Sequence, residues 1–370
     1  MEHDSNKRSG EKILIISLSG IGDLILFTPA LPRLRKKFPE GEISLLVKKK
    51  EAAQVVKGHP CLDKVIVHDP QRASLGENLR FYLNLRKQRY DLSLSVFPAM
   101  TALNNLSTLA IGARERWVYC TGRSWRSLDF LNNRRIPYRH GKHRIEYNLA
   151  MVKAIVGEDE PYPAEDPREQ VYIYYGQEPE QRARSDQTLH SLGLDSSQPL
   201  VGIHAGSGDD QPFKRWGEEK FALLADRIQT EFPFQVVLLG GPEEEGLSQR
   251  IARQMKTRPP AIAAGRCDLE QTLGLISRCG LLISNDSGVM NMAFALRTRI
   301  LAIFGPTDDT CTRPLGNGDA YILKEFPCKP KCRIRYLYSK KCSLNYRCLK
   351  ELSVDEVWET ARKMLESLKR

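Results

Sequence analysis

Short apolar runs alternate with helical patterns along most of this chain, and this alternation restricts its fold more than any other feature. Residues 12–18 (KILIISL) are apolar almost throughout, as in a strand that is buried on both faces of a sheet. A helix is predicted from the following loop to about Phe38, with Pro29 and Pro32 near its first turns. Further strands are predicted at 43–47, 65–68 and 92–97, with helices at 79–89 and 145–156. This order favours a parallel sheet covered on both faces.

The alternation starts again after an acidic stretch with three prolines, residues 157–170, whose composition is typical of a linker. Strands are predicted at 200–204, 235–239, 281–284 and 300–304, and helices at 218–231, 244–255, 269–278 and 353–368. Ser353 and Glu356 form a capping box at the start of the last helix. A length of 370 residues suits two domains. We therefore predict one domain at 1–160, a linker at 161–175, a second domain at 176–350 and a C-terminal helix at 351–370.

The positive charge of the chain is concentrated in one segment. The net charge is +11, and Gly112 to Tyr147 holds eight Arg and one Lys against three acids. Such a surface attracts nucleic acid, anionic lipid headgroups or a phosphorylated sugar. No helix-turn-helix, RNP or zinc-finger pattern accompanies it, so nucleic acid is the weakest candidate.

No apolar run reaches the roughly 20 residues of a membrane-spanning helix. Asp23 interrupts the most apolar N-terminal stretch, which argues against a signal peptide. We therefore expect a cytoplasmic protein.

The loops that follow strands are the expected place for a site, because ligands of open α/β sheets bind beyond the carboxyl ends of the strands. The first loop is SGIGD, in which Gly20 and Gly22 permit a tight turn. Asp23 either caps the next helix or acts as a general base, and the spacing alone favours the cap. Ile25 stands where a dinucleotide-binding motif needs a third glycine, so NAD binding is a weak interpretation.

Three later loops suit a nucleoside diphosphate. The loop HAGSG, which contains Ser207, is followed by Lys214, and small residues with cations after a strand favour phosphate binding over a plain surface loop. Glu243 holds the hydroxyls of a ribose or is an exposed acid at a helix start, with equal support for each. Asp286 and Ser287 cap a helix or bind phosphate.

Taken in order, these stretches resemble glycosyltransferase family 9, the ADP-heptose:lipopolysaccharide heptosyltransferases. The matching stretches are SGIGDLILFTPALP, GIHAGSG with PFKRW, LLGGPEE, and NDSGVMNMAFAL with FGPTD; KHRIEYNLAMVKAIVG is similar to the helix before the family's interdomain linker. The resemblance implies the α/β GT-B fold: two Rossmann-like domains with a cleft between them and a C-terminal helix. The first domain would bind the acceptor and the second the nucleotide sugar.

The resemblance also implies roles for individual residues. Asp23 matches the catalytic aspartate, Lys214 the lysine on the donor diphosphate, and Glu243 the acid near the ribose. Ser207 lies in the matching phosphate loop, and the phosphate-binding helix start corresponds to Asp286, Ser287 and Gly288. The family usually has His where this chain has Asn291, which can donate a hydrogen bond but carries no charge, so the donor or the efficiency can differ.

The function implied is an inverting, metal-independent transfer of a heptose or related sugar from a nucleotide diphosphate donor such as ADP-heptose, with no cofactor. The acceptor would be an anionic lipopolysaccharide-core glycolipid at the inner-membrane surface. Expected acceptor contacts are Gly20, Gly22, Arg114, Arg116, Arg144 and Lys48 to Lys50. Two alternatives remain: a catalytically idle sugar-nucleotide-binding homologue, which Asn291 would support, and a transferase with a protein acceptor such as an autotransporter.

A cluster of four cysteines precedes the last helix. Cys328, Cys332, Cys342 and Cys348 follow the pattern C-x3-C-x9-C-x5-C, which could bind zinc or iron. The spacing is irregular and contains no C-x2-C pair, so we favour free thiols in a reducing compartment over a metal site.

Overall fold

The computed structural model describes residues 10–122, 124–157, 171, 173, 179–208, 211–328 and 342–368. The chain forms two compact units, Met1–Ala164 and Glu165–Arg370. Each unit is built on a six-stranded sheet in which all paired strands are parallel. Of the predicted linker, 161–175, all but Val171 and Ile173 lies outside the described residues.

The sheet of the N-terminal unit has the strand order β3-β2-β1-β4-β5-β6. Its strands are β1 (Lys12–Ser17), β2 (Glu42–Val47), β3 (Lys64–Val67), β4 (Leu92–Ser95), β5 (Glu115–Cys120) and β6 (Arg134–Pro137). Its helices are α1 (Ile21–Ile25), α2 (Leu31–Lys37), α3 (Lys50–Val55), α4 (Leu75–Lys87), α5 (Ala102–Ile111), α6 (Ser124–Ser127) and α7 (Arg144–Val156).

The sheet of the C-terminal unit has the strand order β12-β11-β10-β7-β8-β9. Its strands are β7 (Leu200–His204), β8 (Gln235–Leu238), β9 (Ala261–Ile262), β10 (Cys279–Asn285), β11 (Ile300–Phe304) and β12 (Ala320–Leu323). Its helices are α8 (Pro179–Ser191), α9 (Glu218–Glu231), α10 (Glu245–Gln254), α11 (Leu269–Arg278), α12 (Gly288–Ala295), α13 (Asp309–Thr312), α14 (Arg347–Lys350) and α15 (Val354–Leu368).

The two sheets share one topology. In each, the first strand of the unit pairs with the second on one side and with the fourth on the other, which is the Rossmann strand order. The order of the strands reverses between β1 and β4 and again between β7 and β10. Such a switch point leaves a crevice at the carboxyl ends of the two strands, where ligands of this fold class bind.

The central strands are buried because helices cover both faces of each sheet. Ile13, Leu14, Ile15 and Ile16 of β1 have no exposed surface. In the C-terminal unit, α9 and α15 pack their apolar faces on the sheet, with Phe221, Trp358 and Leu365 in the core. The capping box that begins α15 is confirmed: Ser353 N donates to Glu356 Oε2 over 2.7 Å, and Glu356 N donates to Ser353 Oγ over 3.2 Å.

Two features of the N-terminal unit differ from the sequence prediction. The predicted helix to Phe38 is broken into α1, a 3-10 turn at Thr28–Ala30 and α2, because Pro29 and Pro32 have no N–H to continue a helix. The basic segment contains two strands that were not predicted, β5 and β6. Their charged residues mask the apolar alternation, and β6 is an edge strand, where charge is tolerated. Within the described ranges, every helix is too short or too polar to cross a bilayer.

Candidate active site

Asp23 lies at the carboxyl end of β1, beside the switch point of the N-terminal unit. It is the third residue of α1, whose N-cap is Gly20, and its Oδ2 accepts the backbone N–H of Gly20 over 3.3 Å. The residue is only 8% exposed, and Oδ1 forms an ion pair with Nη1 of Arg144. Asp23 therefore supports the start of the helix, although not as its N-cap, and also carries a buried charge with a specific partner.

The start of α7 positions Arg144. Nδ1 of His143 accepts the N–H of Ile145 over 3.3 Å, and Oε2 of Glu146 accepts the N–H of His143 over 3.2 Å, so this pair forms a capping box. Arg144 is the first residue of the helix and is 8% exposed. Asp23 and Arg144 were predicted separately from the sequence, and the structure brings them together.

Helix α7 is fixed to the segments that follow β1 and β4 and to β5 itself. The side chain of Asn148 accepts the N–H of Phe97 over 3.0 Å and donates to the carbonyl of Leu26 over 3.2 Å. The hydroxyl of Tyr119 donates to the carbonyl of Tyr147 over 2.6 Å. These bonds join the segments after β1 and β4, and the end of β5, to one helix. The Asp23 and Arg144 pair is thus held by a helix that is bonded to three other segments of the unit.

The carboxylate of Asp23 can accept a further hydrogen bond. Each carboxylate oxygen has two lone pairs, and one donor bonds each oxygen of Asp23 in the described contacts. A hydroxyl group that binds here can donate its proton to the carboxylate. A general base must be able to accept such a bond, and the catalytic role of Asp23 stays a prediction.

The remaining predicted acceptor contacts lie in different surroundings. The guanidinium of Arg116 donates to the carbonyls of Ala113 and Leu131 over 2.9 and 3.2 Å. These bonds join β5 to the turn that follows it, and they are not directed at Asp23. Arg114 and Gly20 are exposed, and Gly22 is buried. The acceptor roles of these residues stay predictions.

In the C-terminal unit, the structure brings Lys214 and Asp286 together. Nζ of Lys214 lies 3.0 Å from Oδ2 of Asp286, and both side chains are less than a tenth exposed. The hydroxyl of Thr312 donates to Oδ1 of Asp286 over 3.2 Å. Lys214 ends a 3-10 turn after β7, and Asp286 follows β10. This pair therefore lies at the switch point of its own sheet.

Ser287, Gly288 and Asn291 belong to the start of α12. Ser287 is the N-cap, and its hydroxyl accepts the N–H of Met290 over 3.4 Å. Gly288 is the first helical residue, and both residues are half-buried. The N-terminus of a helix attracts phosphate through its unpaired N–H groups. The amide of Asn291 donates to the carbonyl of Ser287 over 3.4 Å, within the same helix.

The buried side chains of Glu244 and His204 form a hydrogen-bonded chain that ends at the hydroxyl of Ser287. Nε2 of His204 lies 3.0 Å from Oε2 of Glu244, and Nδ1 of His204 lies 3.0 Å from Oγ of Ser287. Burial would raise the pKa of Glu244, but the charge and hydrogen bond of His204, the N–H of Gly241 and the charge of Arg215 together lower it to about 2. Glu244 is therefore ionised. Its hydrogen bond orients the ring of His204, and that ring in turn orients the hydroxyl of Ser287, which caps α12.

Glu244 and its neighbour Glu243 have opposite surroundings. Glu243 is exposed in the 3-10 turn Pro242–Glu244, whereas Glu244 is 4% exposed. A Cβ at Gly206 would lie 1.5 Å from Oε1 of Glu244, and one at Gly240 would lie 2.7 Å from Oε2. The two glycines therefore leave the space that the carboxylate occupies. His204 and Glu244 were not predicted as site residues; for Glu244, a run of three glutamates does not show which one points inward.

Ser207 and Asn285 hold the loop after β7. The hydroxyl of Ser207 donates a hydrogen bond to the carbonyl of Gln211 over 2.7 Å and accepts one from Nε of Arg215 over 3.3 Å. Nδ2 of Asn285 donates to the carbonyl of Ala205 over 2.8 Å, and its Oδ1 accepts the N–H of Trp216 over 3.1 Å. Arg215 is a second cation beside the predicted phosphate loop.

The cysteine cluster is only partly described. Cys328 and Cys342 are half-buried, and Cys332 lies outside the described residues. Among the residues that the structure describes, no group of three His, Cys, Asp or Glu side chains has the geometry of a metal site. The state of the cluster stays a prediction.

Residues 79–341 match the family model of glycosyltransferase family 9 (heptosyltransferase). Over 329 residues, the chain is 26% identical to lipopolysaccharide heptosyltransferase 2 of Escherichia coli K12, which covers 83% of this chain and 86% of that protein. It is 24% identical over 299 residues to lipopolysaccharide heptosyltransferase 3 of the same organism, with 79% and 82% covered.

Two solved structures are similar in fold. The E. coli ADP-heptose lipopolysaccharide heptosyltransferase II superposes with a TM-score of 0.74 at 22% identity, and covers 97% of this chain and 100% of that chain. A family 9 glycosyl transferase of Veillonella parvula superposes with a TM-score of 0.75 at 23% identity, with 98% and 99% covered. The predicted GT-B class of two Rossmann-like sheets is confirmed.

Proposed function

We propose, because the chain belongs to glycosyltransferase family 9 (heptosyltransferase), that it transfers a heptose or a related sugar from a nucleoside diphosphate donor to a lipopolysaccharide-core acceptor. By that membership the chain is a glycosyltransferase. Its similarity to lipopolysaccharide heptosyltransferases 2 and 3 supports this acceptor class. The solved relative that is described as an ADP-heptose enzyme makes ADP-heptose the first candidate donor.

The observation that carries this proposal is the buried Asp23 carboxylate at the switch point of the N-terminal sheet. An acid that served only the helix start would need no buried charge partner, yet Arg144 is brought to it from 121 residues further along the chain. Burying an ion pair costs desolvation energy, and such arrangements concentrate at functional sites. We infer that the N-terminal unit binds the acceptor and that Asp23 is the catalytic base.

On the acceptor side, the reaction begins with a hydroxyl that donates to Asp23. The carboxylate takes the proton while the hydroxyl oxygen forms a bond to the anomeric carbon of the donor sugar. Arg144 holds the carboxylate in place and balances its charge. Attack on the face opposite the leaving group inverts the anomeric configuration.

On the donor side, the bond between the anomeric carbon and the phosphate oxygen breaks, and its electron pair goes to the departing nucleoside diphosphate. Lys214, the N–H groups at the start of α12 and the hydroxyl of Ser287 are the groups proposed to stabilise that charge. Ser207 shapes the phosphate loop, and Glu243, exposed beside it, is proposed to hold the ribose hydroxyls. These protein groups supply the positive charge, so we propose a reaction without a divalent metal or a cofactor.

The proposed acceptor indicates where in the cell the protein acts. A lipopolysaccharide-core precursor is an anionic glycolipid, and the arginines of the segment 112–147 give the N-terminal unit a matching charge. We therefore propose that the protein works in the cytoplasm at the inner-membrane surface.

The experiment is a donor panel. Purified protein is mixed with a series of nucleotide sugars that includes ADP-heptose, and thermal stabilisation and nucleotide release are measured with and without a lipopolysaccharide-core acceptor. Stabilisation by one donor, with nucleotide release that requires the acceptor, is the expected result. If no donor stabilises the protein, this proposal fails. If a donor stabilises it but no acceptor triggers nucleotide release, the catalytically idle alternative replaces this proposal. If a donor binds and an autotransporter protein alone triggers release, the acceptor is wrong.

A further inference from the structure

Helix α5 has an inverted distribution of polar and apolar side chains. Asn105, Ser107 and Thr108 are buried, whereas Leu103, Leu106 and Leu109 are exposed. The buried polar groups are bonded: Nδ2 of Asn105 donates to the carbonyl of Ser127 over 2.8 Å, and Thr108 donates to the side chain of Asn132 over 2.6 Å. A surface helix normally turns its polar face to water. The outward leucines therefore indicate that this face meets something apolar.

The neighbouring elements also carry exposed apolar side chains. On α4, three exposed leucines follow each other at intervals of four residues, and α4 lies beside α5 through the bond of 2.7 Å between the hydroxyls of Tyr82 and Ser107. Trp125 and Phe130, which are 71% and 53% exposed, belong to the segment that α5 holds through Ser127. We call this set the leucine surface; it consists of Leu75, Leu79, Leu83, Leu103, Leu106, Leu109, Trp125 and Phe130.

The exposed apolar side chains are concentrated on the leucine surface and are not spread evenly over the protein. Among the described residues, twelve large hydrophobic side chains are exposed, and eight of them belong to it. Large exposed apolar patches on soluble proteins mark sites of interaction.

The charges around the leucine surface are positive. Exposed Arg80 and Lys87 lie on α4, and the guanidinium of Arg126 lies 4.6 Å from the ring centre of Trp125. Helix α5 has no charged residue, and the acid of α4, Glu77, bonds Ser74 in a capping box. Asp129 is 1% exposed and accepts the hydroxyl of Ser127. An apolar surface fringed by arginine and lysine, with a tryptophan under a guanidinium, is complementary to a bilayer with anionic headgroups.

We propose that the leucine surface docks the protein on an anionic lipid bilayer, with its leucines and Trp125 among the acyl chains and the cations at the headgroups. The loop after β4 leads directly into α5, so this surface begins near the carboxyl edge of the sheet that carries Asp23. The docking surface adds a defined contact to the proposed function, on which it rests only for the choice of a membrane-bound acceptor.

The test is sedimentation with vesicles of equimolar phosphatidylglycerol and phosphatidylcholine, compared with phosphatidylcholine alone. The full chain is expected to pellet with the anionic vesicles and to be released by high salt, which screens the cations. The substitution of Leu103, Leu106 and Leu109 by Ser together should lower the vesicle-bound fraction at least about tenfold. A matched pair of single variants, Leu106→Ser on α5 and Leu223→Ser on α9, changes leucines of 45% and 49% exposure, and only the first should weaken binding.

Three results would overturn the docking proposal. One is that wild type stays in the supernatant with anionic vesicles. Another is equal binding of wild type and the triple serine variant while both melt at the same temperature. The third is a dimer in sedimentation velocity that Leu106→Ser dissociates, which would assign the surface to a second copy of the chain. Because the assay contains no sugar donor, its failure is distinct from a failure of the proposed transfer, which the donor panel measures separately.

Discussion

At the scale of single residues, this chain shows how far a motif predicts chemistry. Asp23, Lys214 and Asp286 could be chosen from the sequence because each follows a strand in a glycine-containing or polar loop. Their partners could not be chosen, because Arg144 is distant in sequence from Asp23 and Thr312 is distant from Asp286. Spacing shows which residues are near a strand end, but only the packing of the helices shows which charge meets which.

Lys214 is expected to act on the donor. Lys214→Gln removes the cation proposed to face the diphosphate, so kcat/KM for the nucleotide sugar should fall about a hundredfold. Steady-state nucleotide release measures this. The control is Lys220→Gln, because Lys220 donates instead to the carbonyls of Leu349, Lys350 and Leu352 and should leave donor kinetics unchanged. Equal kinetics for Lys214→Gln and wild type would remove Lys214 from the donor site.

Substitutions of Glu244 and Glu243 are expected to affect different properties. The first should change the stability of the fold and the second the binding of the donor. Glu244→Gln weakens the bond to His204 in a buried site and should lower the free energy of unfolding by roughly 1–3 kcal/mol. Glu243→Gln changes an exposed side chain and should leave stability unchanged while raising the KM for the donor. Urea unfolding and donor titration measure the two effects. A stable Glu244→Gln protein would show that the buried chain to Ser287 is unimportant.

The lowered pKa of Glu244 predicts that the stability of the fold depends on pH. Its pKa is lowered from 4.5 to about 2 in the folded protein. A lowered carboxylate pKa stabilises the fold above the unfolded value, and the contribution is lost as the pH falls towards the folded value. The stability difference between wild type and Glu244→Gln should therefore be full above pH 4.5 and should vanish towards pH 2. A difference that is independent of pH across this window would contradict the assignment of Glu244 as ionised.

At the scale of elements, most strands and helices with a clear apolar period were predicted within a residue or two, although α4 begins four residues before its predicted start. β7, α9, α11 and β11 coincide with their predicted ranges. The missed strands β5 and β6 contain arginines, and their positions are decided by the pairing of β5 with β4 and of β6 with β5, not by their own pattern. The short strands β9 and β12 were also missed. The exposed leucines of α4 and α5 were also missed, because periodicity assigns apolar side chains to the buried face of a helix, whereas these lie on the exposed face.

The loop after β7 is expected to tolerate no side chain at Gly206. Because an added Cβ would coincide with the Glu244 carboxylate, Gly206→Ala should cost about 1–3 kcal/mol of unfolding free energy. Gly246→Ala is the matched control: its Cβ would meet only Arg250 Nη1 at 3.6 Å, and alanine is about 1 kcal/mol better than glycine inside a helix. Urea unfolding of both variants checks the pair. If Gly206→Ala is as stable as wild type, the close packing of Glu244 is wrong.

At the scale of the whole molecule, two units with the same strand order hold charged residues at corresponding places. Asp23 lies after the first strand of one sheet, and Lys214 and Asp286 lie after the first and fourth strands of the other. This common topology could be anticipated from the alternation of strands and helices. The division of labour, with the acceptor on the first unit and the donor on the second, rests on what the loops carry and stays a proposal.

The most direct test of the role of Asp23 is the mass of the acceptor after incubation with ADP-heptose and either wild type or Asp23→Asn. The account predicts that wild type adds one sugar and that Asp23→Asn binds the donor normally but transfers at least about a hundredfold more slowly. Asp63→Asn is the control, because Asp63 also pairs with an arginine, Arg35, but lies before β3 at the opposite edge of the sheet. Transfer by Asp23→Asn at the wild-type rate would contradict the central claim that this carboxylate is the catalytic base.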